Sequence, residues 1–363
     1  MSTTSLRSSP AAARARRLSQ LVVAWAFVGF GALAEASPWV LRPGSVVLGA
    51  GLNHQRAREE FLDEGGSRPF PLDGHLEASS LLVSARAGLF DGFEMELRVP
   101  FTTVSYQSDP VIILPGPAGG SAQDQLDYYQ ENVLDLSQSV SGISDIYLAA
   151  RYALLRSPLA IATELALNIP TGYDAPAGTF GERPQTIEEF QANVADYTNS
   201  NNVEDDVTLG DGQLDIRLSV LVGWALDTGT FFRFDGGYNL QTDGAGDQLV
   251  GELKIGQALS RWVLVYVGAR GGYAIQDGRV IGVSISAIDP ELPAEDYGGF
   301  NNLLLREVTL DRDYLDIGGG LILRLNRELE INLGYEQTVI GRNISAVQSF
   351  SMSMVYKTSF FED

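Results

Sequence analysis

Charged side chains in this chain recur two residues apart inside segments that are otherwise apolar. Glu94, Glu96 and Arg98 lie in one such segment, Arg233 and Asp235 in another, and Glu252 and Lys254 in a third. On a β-strand that spacing puts side chains on one face, so each segment would carry a wet face of mixed sign. The same parity collects Arg86, Asp145, Arg151, Glu164, Asp215, Arg217 and Arg270. It also collects Asp316, Arg324, Glu330 and Glu336, with Asp211, Arg312 and Lys357 beside them. Eleven acids thus oppose ten bases. Turned inward in a closed barrel, such a set can hold water and orient polar solutes, or it can pair off and fill a narrow interior. Both readings stay open.

Other chemistry is poorly supported. The two histidines, His54 and His75, flank one polar connection and lie in no recognisable serine-hydrolase pattern. An enzyme is therefore not expected, although a phospholipase-type site on the outer face of a barrel remains an alternative. The acidic run from Asn201 to Asp211 lacks the ligand spacing of a calcium-binding loop and reads as a solvated loop. Gly318, Gly319 and Gly320 are followed by no helical pattern, so a strand kink or close packing is expected rather than a phosphate loop. With no cysteine there is neither disulfide nor thiolate ligand. No metal and no cofactor is expected. A net charge of -21 argues against a nucleic-acid partner, which would need a basic surface.

The elements that must position these charges are strands. From Gly212 to Asp227 the even positions Leu214, Ile216, Leu218, Val220, Val222, Trp224 and Leu226 are apolar, while Gln213, Asp215, Arg217 and Ser219 lie between them. Period two with one greasy and one wet face is the signature of a barrel strand. It recurs near 45–58, 75–89, 93–106, 142–156, 159–170, 211–226, 230–241, 248–259, 262–276, 309–325, 328–341 and 346–361, which makes twelve strands. Connections after the even-numbered strands are tight turns such as Asp91-Gly92 and Asp227-Thr228-Gly229, whereas long polar stretches follow strands one, three, five and nine. The fold class expected is all-β, a single transmembrane antiparallel barrel with short periplasmic turns and long extracellular loops. Outward aromatics Phe93, Trp224, Phe232 and Phe360 map to the short-turn rim, as an interfacial girdle requires.

Both ends of the chain fit export to the outer membrane. Arg14, Arg16 and Arg17 precede an apolar run from Leu21 to Ala34, and Ala34 and Ala36 form a small-residue cleavage pattern. Residues 1–36 are therefore expected to be a signal peptide and residues 37–363 the barrel. The stripe Phe350, Met352, Met354, Tyr356 and Phe360 resembles the terminal strand that barrel-assembly machinery recognises, with Glu362 and Asp363 as an overhang. The partners expected are outer-membrane lipid, that machinery and a small-molecule solute.

Gly142-Ile143-Ser144-Asp145 with Ala150-Arg151-Tyr152, then Pro170-Thr171-Gly172, then Gly212-Gln213-Leu214-Asp215, resembles the transporter-like outer-membrane barrels named for phenol meta-cleavage pathways. Those barrels are loosely grouped with long-chain fatty-acid channels. The resemblance covers residues 140–275 and implies passive uptake or efflux of small molecules, aromatic or apolar ones among them. It brings no catalytic set. Little chain separates Ser37 from Ser45, so no N-terminal plug is expected. An adhesin or a structural barrel with an ion-paired lumen is the alternative. The export signal carries its own prediction: N-terminal sequencing of the protein from outer-membrane fractions should begin at Ser37, and recovery as soluble periplasmic protein would refute it.

Overall fold

The computed structural model describes residues 37–62, 66–109, 111–112, 121–124, 133–134, 136–173, 175–176, 207–242, 244–288 and 303–359. The expected signal peptide, most of the acidic run before Asp211, and Phe360 lie outside the described residues. No helix among the described residues is long and apolar enough to cross a membrane, so crossing falls to the strands.

Twelve long strands form the wall: β1 (Ser45–Ala57), β2 (His75–Phe90), β3 (Phe93–Gln107), β4 (Ile146–Arg156), β5 (Leu159–Ile169), β6 (Asp215–Ala225), β7 (Thr230–Gln241), β8 (Gln248–Ala258), β9 (Val263–Ala274), β10 (Asp313–Arg324), β11 (Leu329–Arg342) and β12 (Gln348–Ser359). Each pairs antiparallel with its sequence neighbours. β1 also pairs with β12 from Ser45 opposite Ser359 to Arg56 opposite Gln348, which closes the sheet. Closure leaves the long strands no open edge, the condition for putting a sheet into a lipid layer where water cannot satisfy backbone groups.

Alternation decides which face goes where. Along β1 buried and exposed residues alternate without interruption from Val47 to Ala57. The exposed set around the barrel is leucine, valine, phenylalanine and tyrosine, while serine, asparagine, glutamate and arginine face in. At the short-turn rim Phe90 stacks on Phe93 with ring centroids 4.5 Å apart, and Trp224 lies 6.2 Å from Phe232. Turns there run two to four residues. Gly92 and Gly229 supply the left-handed backbone, at φ of 76° and 81°, that such tight turns need.

Three strands start four residues later than the sequence reading places them, each with a physical cause. The expected strand 142–156 is broken: Gln138–Ile143 pairs with the outer half of β3, β4 resumes at Ile146, and Ser144 and Asp145 lie in the gap. Pro100 of β3 stands opposite the break. Its carbonyl accepts from the Ser144 backbone N–H at 3.2 Å, but it has no N–H to return, so the ladder cannot run through. β6 starts at Asp215 rather than 211, after the buried residues 207–213, and β10 at Asp313 rather than 309, because Leu303–Thr309 pairs with Val280–Ile288 in a separate two-stranded sheet. The glycine triplet lies within β10. A Cβ at Gly318 or Gly320 would come within 2.3 or 2.4 Å of a carbonyl on β11, and Gly320 leaves room for the Tyr266 hydroxyl.

Side-chain phase can be tested directly. Leu218 is 62 % exposed on the outer face and Ser219 6 % exposed on the inner one. Leu218→Arg should impair assembly far more than Ser219→Arg, because an arginine facing lipid near the midplane costs about 2–4 kcal/mol while an inward one can stay hydrated. Equal yields of heat-modifiable, folded protein in lipid would contradict this.

Candidate functional site: the barrel lumen

The lumen has two halves of different character, and the charged residues divide between them. Towards the short-turn rim lies an ion-pair ring built on β2, β3, β4 and β5. Arg151 is at its centre: Nε donates to Glu164 at 2.5 Å, one terminal nitrogen to Glu94 at 2.6 Å and the other to Glu96 at 2.5 Å. Arg86 reaches the same Glu94 oxygen at 2.8 Å, and Arg98 reaches Glu96 at 2.5 Å. Ladder register makes this possible, since Arg151 lies opposite Glu94 on one side and Glu164 on the other. Three arginines meet three glutamates, and Glu94, Glu96 and Arg151 are at most 1 % exposed. Charges buried this deeply persist because each has a partner of opposite sign, and of the ring's side-chain atoms Arg86 Nε is buried without a hydrogen bond.

The N-terminal segment meets this ring from below. Residues 37–43 turn into the barrel instead of hanging from it. The Leu41 backbone N–H donates to the second oxygen of Glu94 at 2.8 Å, and Trp39 packs edge-on to Phe231 with centroids 6.4 Å apart. A Cβ at Gly223 would meet Pro38 at 2.4 Å and Trp39 at 2.8 Å, and one at Gly88 would meet the Arg42 carbonyl at 2.1 Å. The expectation of no plug is therefore corrected. Seven residues suffice, because inward glycines on β2 and β6 leave space for them. The Pro-Trp-Val-Leu composition of residues 38–41 was the available signal.

The outer half holds a chamber of about 300 Å3. Asp145, Asp215, Arg217, Asp235, Glu252, Arg270, Asp316 and Glu336 line it, together with Asn239 and Arg312, and Arg98 and Glu164 form its floor side. Lys254 does not reach the chamber; it contacts Glu252 at 3.3 Å and sits 4.5 Å from the centroid of the Tyr266 ring. Arg324, Glu330 and Lys357 form a separate, more exposed group at the short-turn end, with Lys357 2.7 Å and Arg324 3.2 Å from Glu330. Within the chamber wall Arg233 bridges Asp235 and Glu252, and Arg270 bridges Asp316 and Glu336.

A buried segment, residues 207–213, covers the chamber from the long-loop side. Val207 and Leu209 are buried, and Leu209 faces the chamber. Tyr173 donates its hydroxyl hydrogen to Asp145 and accepts from the Gly212 N–H at 3.2 Å, and Asp211 lies 3.7 Å from Arg312. Asp145 and Asp211 thus share the field of Arg312, while Asp215 beside them accepts from Gln241 at 3.0 Å. Burial, reinforced by the charge of Asp215, pushes Asp145 up to about 6 and Asp211 up to about 7. Burial and the neighbouring Asp145 charge also push the Tyr173 phenol up. Among the described residues no group of three or more His, Cys, Asp and Glu side chains is arranged to hold a metal ion.

Of the histidines, His54 faces outward and its Nδ1 lies 3.0 Å from the Ser79 hydroxyl. This is the contact that a surface hydrolase would require. The pair stops there: among the described residues the ring has no further hydrogen-bond partner to orient it. Ser79 and its neighbours lie in continuous ladders with β1 and β3, where backbone donors are committed to the sheet and cannot form an oxyanion hole.

No protein-family model matches the sequence, and neither does any curated protein. Among solved structures the chain is similar to an outer-membrane channel of Pseudomonas putida F1, at 10 % identity with a TM-score of 0.57, covering 90 % of this chain and 100 % of that one. The transport unit of the autotransporter AIDA-I from Escherichia coli (8 % identity, TM-score 0.43, 87 % and 91 % covered) and a NanC porin (7 % identity, TM-score 0.41, 85 % and 100 % covered) are more distant. A closed antiparallel barrel with an apolar outer face, a polar interior and that fold makes this chain a transmembrane β-barrel of the bacterial outer membrane.

Proposed function

We propose that the protein is a passive channel for small polar molecules, with a preference for cations. The observation that carries this reading is the chamber of about 300 Å3, enclosed by a closed barrel and walled with hydrated-type side chains. A barrel built only to span the membrane would gain by filling that space. The aromatic or apolar solutes that the family resemblance implies fit this wall less well, since desolvating its charges for an apolar guest is costly. A second reading, a structural barrel with a filled lumen, is favoured by one feature, the closely packed Arg151 ring. Passage on the channel reading requires the N-terminal segment or that ring to yield. The Ser79 and His54 pair, lacking both an orienting group and an oxyanion hole, supports no enzymatic role.

Charge outside the wall adds to the preference. The connections 107–141, 171–210 and 277–308 carry nineteen acids against three bases. On the long-loop rim they give the outer mouth a negative potential, which concentrates cations and repels anions. Reversal potentials in planar bilayers should therefore show cation preference at low salt. The preference should fade as screening shortens from about 30 Å at 0.01 M to about 3 Å at 1 M, and again near pH 4 as loop carboxylates protonate at reference values of about 4. Anion preference at low salt would contradict the loop argument, and absence of conductance would favour the filled barrel.

The covering segment should respond to pH in a defined direction. Asp145 and Asp211 are raised in the folded state to about 6 and about 7, above an unfolded value of about 3.9. A carboxyl held above its ordinary range favours the seated segment at low pH, and that contribution is lost as pH rises through 6 to 7. Amide hydrogen exchange at 207–213, corrected for intrinsic rates, should be faster at about pH 8 than at about pH 5. Asp211→Asn should flatten the difference; equal protection at both pH values in the unaltered protein would count against it.

A further inference from the structure

One charge in the chamber wall is left over. In several places the ladder sets an acid directly opposite an inward arginine: Arg151 stands between Glu94 and Glu164, and Arg270 between Glu252 and Asp316. Arg217 on β6 has Ala166 opposite it on β5 and Asn239 opposite it on β7. Of the charged side chains that line the chamber, it is the one that makes neither an ion pair nor a hydrogen bond among the described residues. Its inward neighbour on the same strand, Asp215, has both oxygens engaged, by Gln241 at 3.0 Å and by Asn168 at 3.4 Å.

The guanidinium is not sealed into the wall. Arg217 is half-buried and lines the chamber, and Nε alone of its nitrogens is buried without a partner. Beside it the wall is low: Ala166 is opposite, and Ser219 faces Gly237 one inward position nearer the short-turn rim. Elsewhere in the wall charge is cancelled by contact, Arg233 with Asp235 and Glu252, Lys254 with Glu252, and Arg270 with Asp316 and Glu336. A guanidinium cannot shed its proton to escape this position. Water can hydrate it, but its planar fork of donors matches a carboxylate, which accepts two parallel hydrogen bonds and brings the missing charge.

We propose that Arg217 anchors the carboxylate of a small solute in the chamber, an amino-acid-type zwitterion being the form that the mouth admits. Access from the outer mouth rests on the channel reading. The acidic loops repel a net anion, whereas a zwitterion carries its carboxylate past them with no net charge. The volume, about 300 Å3, is at the lower end of the range of about 300–1,000 Å3 for small-molecule sites, which limits the guest to a short chain.

The test is a ligand-observed NMR titration of the folded full barrel in detergent micelles with four probes of one chain length: 4-aminobutyrate, butyrate, 1-aminobutane and 1-butanol. The two carboxylates should bind, 4-aminobutyrate the tighter at low salt, and the amine and the alcohol should bind at least about tenfold more weakly, the size of a charge-assisted hydrogen bond. Arg217→Gln should weaken both carboxylates by about the same factor. Arg217→Lys keeps the charge but not the fork and should fall between the two. Arg327→Gln, in an exposed turn at the opposite rim, should leave binding unchanged. Heat-modifiable mobility on gels verifies that each variant is folded, and if Arg217→Gln is not, Arg217→Lys provides the measurement, with the same direction of change. Binding of 1-aminobutane as tight as that of the carboxylates overturns the proposal. Full carboxylate affinity in the Arg217 variants overturns it too, and so does the absence of binding by every probe. Planar-bilayer conductance is read separately: conductance without carboxylate binding removes the site but leaves the channel, and binding that depends on Arg217 without conductance does the reverse.

Discussion

A lipid layer offers a peptide group nothing to bond to, and every other property of this molecule follows from that constraint. Each strand must find partners on both edges, so the sheet has to close, and β1 has to meet β12. Closure fixes parity. Once one face of every strand is given to lipid, the other face has no choice but to look inward, and its polar groups must satisfy one another or water. The buried charges are therefore a consequence of how the wall is built before they are a functional device.

The interior meets this demand in two ways. Near the short-turn rim the register places opposite charges side by side on adjacent strands, so that Arg86, Arg98 and Arg151 are consumed by Glu94, Glu96 and Glu164. Farther out, other strands carry glycine and smaller polar residues at inward positions, such as Gly237 and Asn239 on β7, and space opens. One barrel thus contains a region that its ion pairs fill and another whose ion pairs line an open chamber.

Period-two alternation was strong enough in the sequence to place all twelve strands, because each runs at least eleven residues with apolar side chains on its lipid face and polar ones mostly on the other. The break at Ser144 and Asp145 was legible in principle from Pro100, but only once β3 and β4 were known to be neighbours. Pairing of charges was not legible. Parity says that Arg151 points inward, but which glutamates it meets depends on stagger between strands, and stagger leaves no mark within a single segment. The N-terminal segment and residues 207–213 escaped notice for another reason. Neither is periodic, and each is positioned by cavities in the wall or by single contacts such as Tyr173 with Asp145.

The six-membered ion-pair ring has a consequence for how this sequence can drift. Three positive and three negative side chains share a space from which water is nearly excluded. Replacing any one of them by a neutral residue strands its partner, at a cost of about 3–5 kcal/mol for a buried charge left alone. Loss of two opposite members together, or their replacement by apolar residues of similar volume, need cost little. Neutral intermediates are thus scarce at these positions while paired exchanges are open. Related barrels should differ there by whole pairs, with the sum of charge held at zero and the identity of the pairs free to wander.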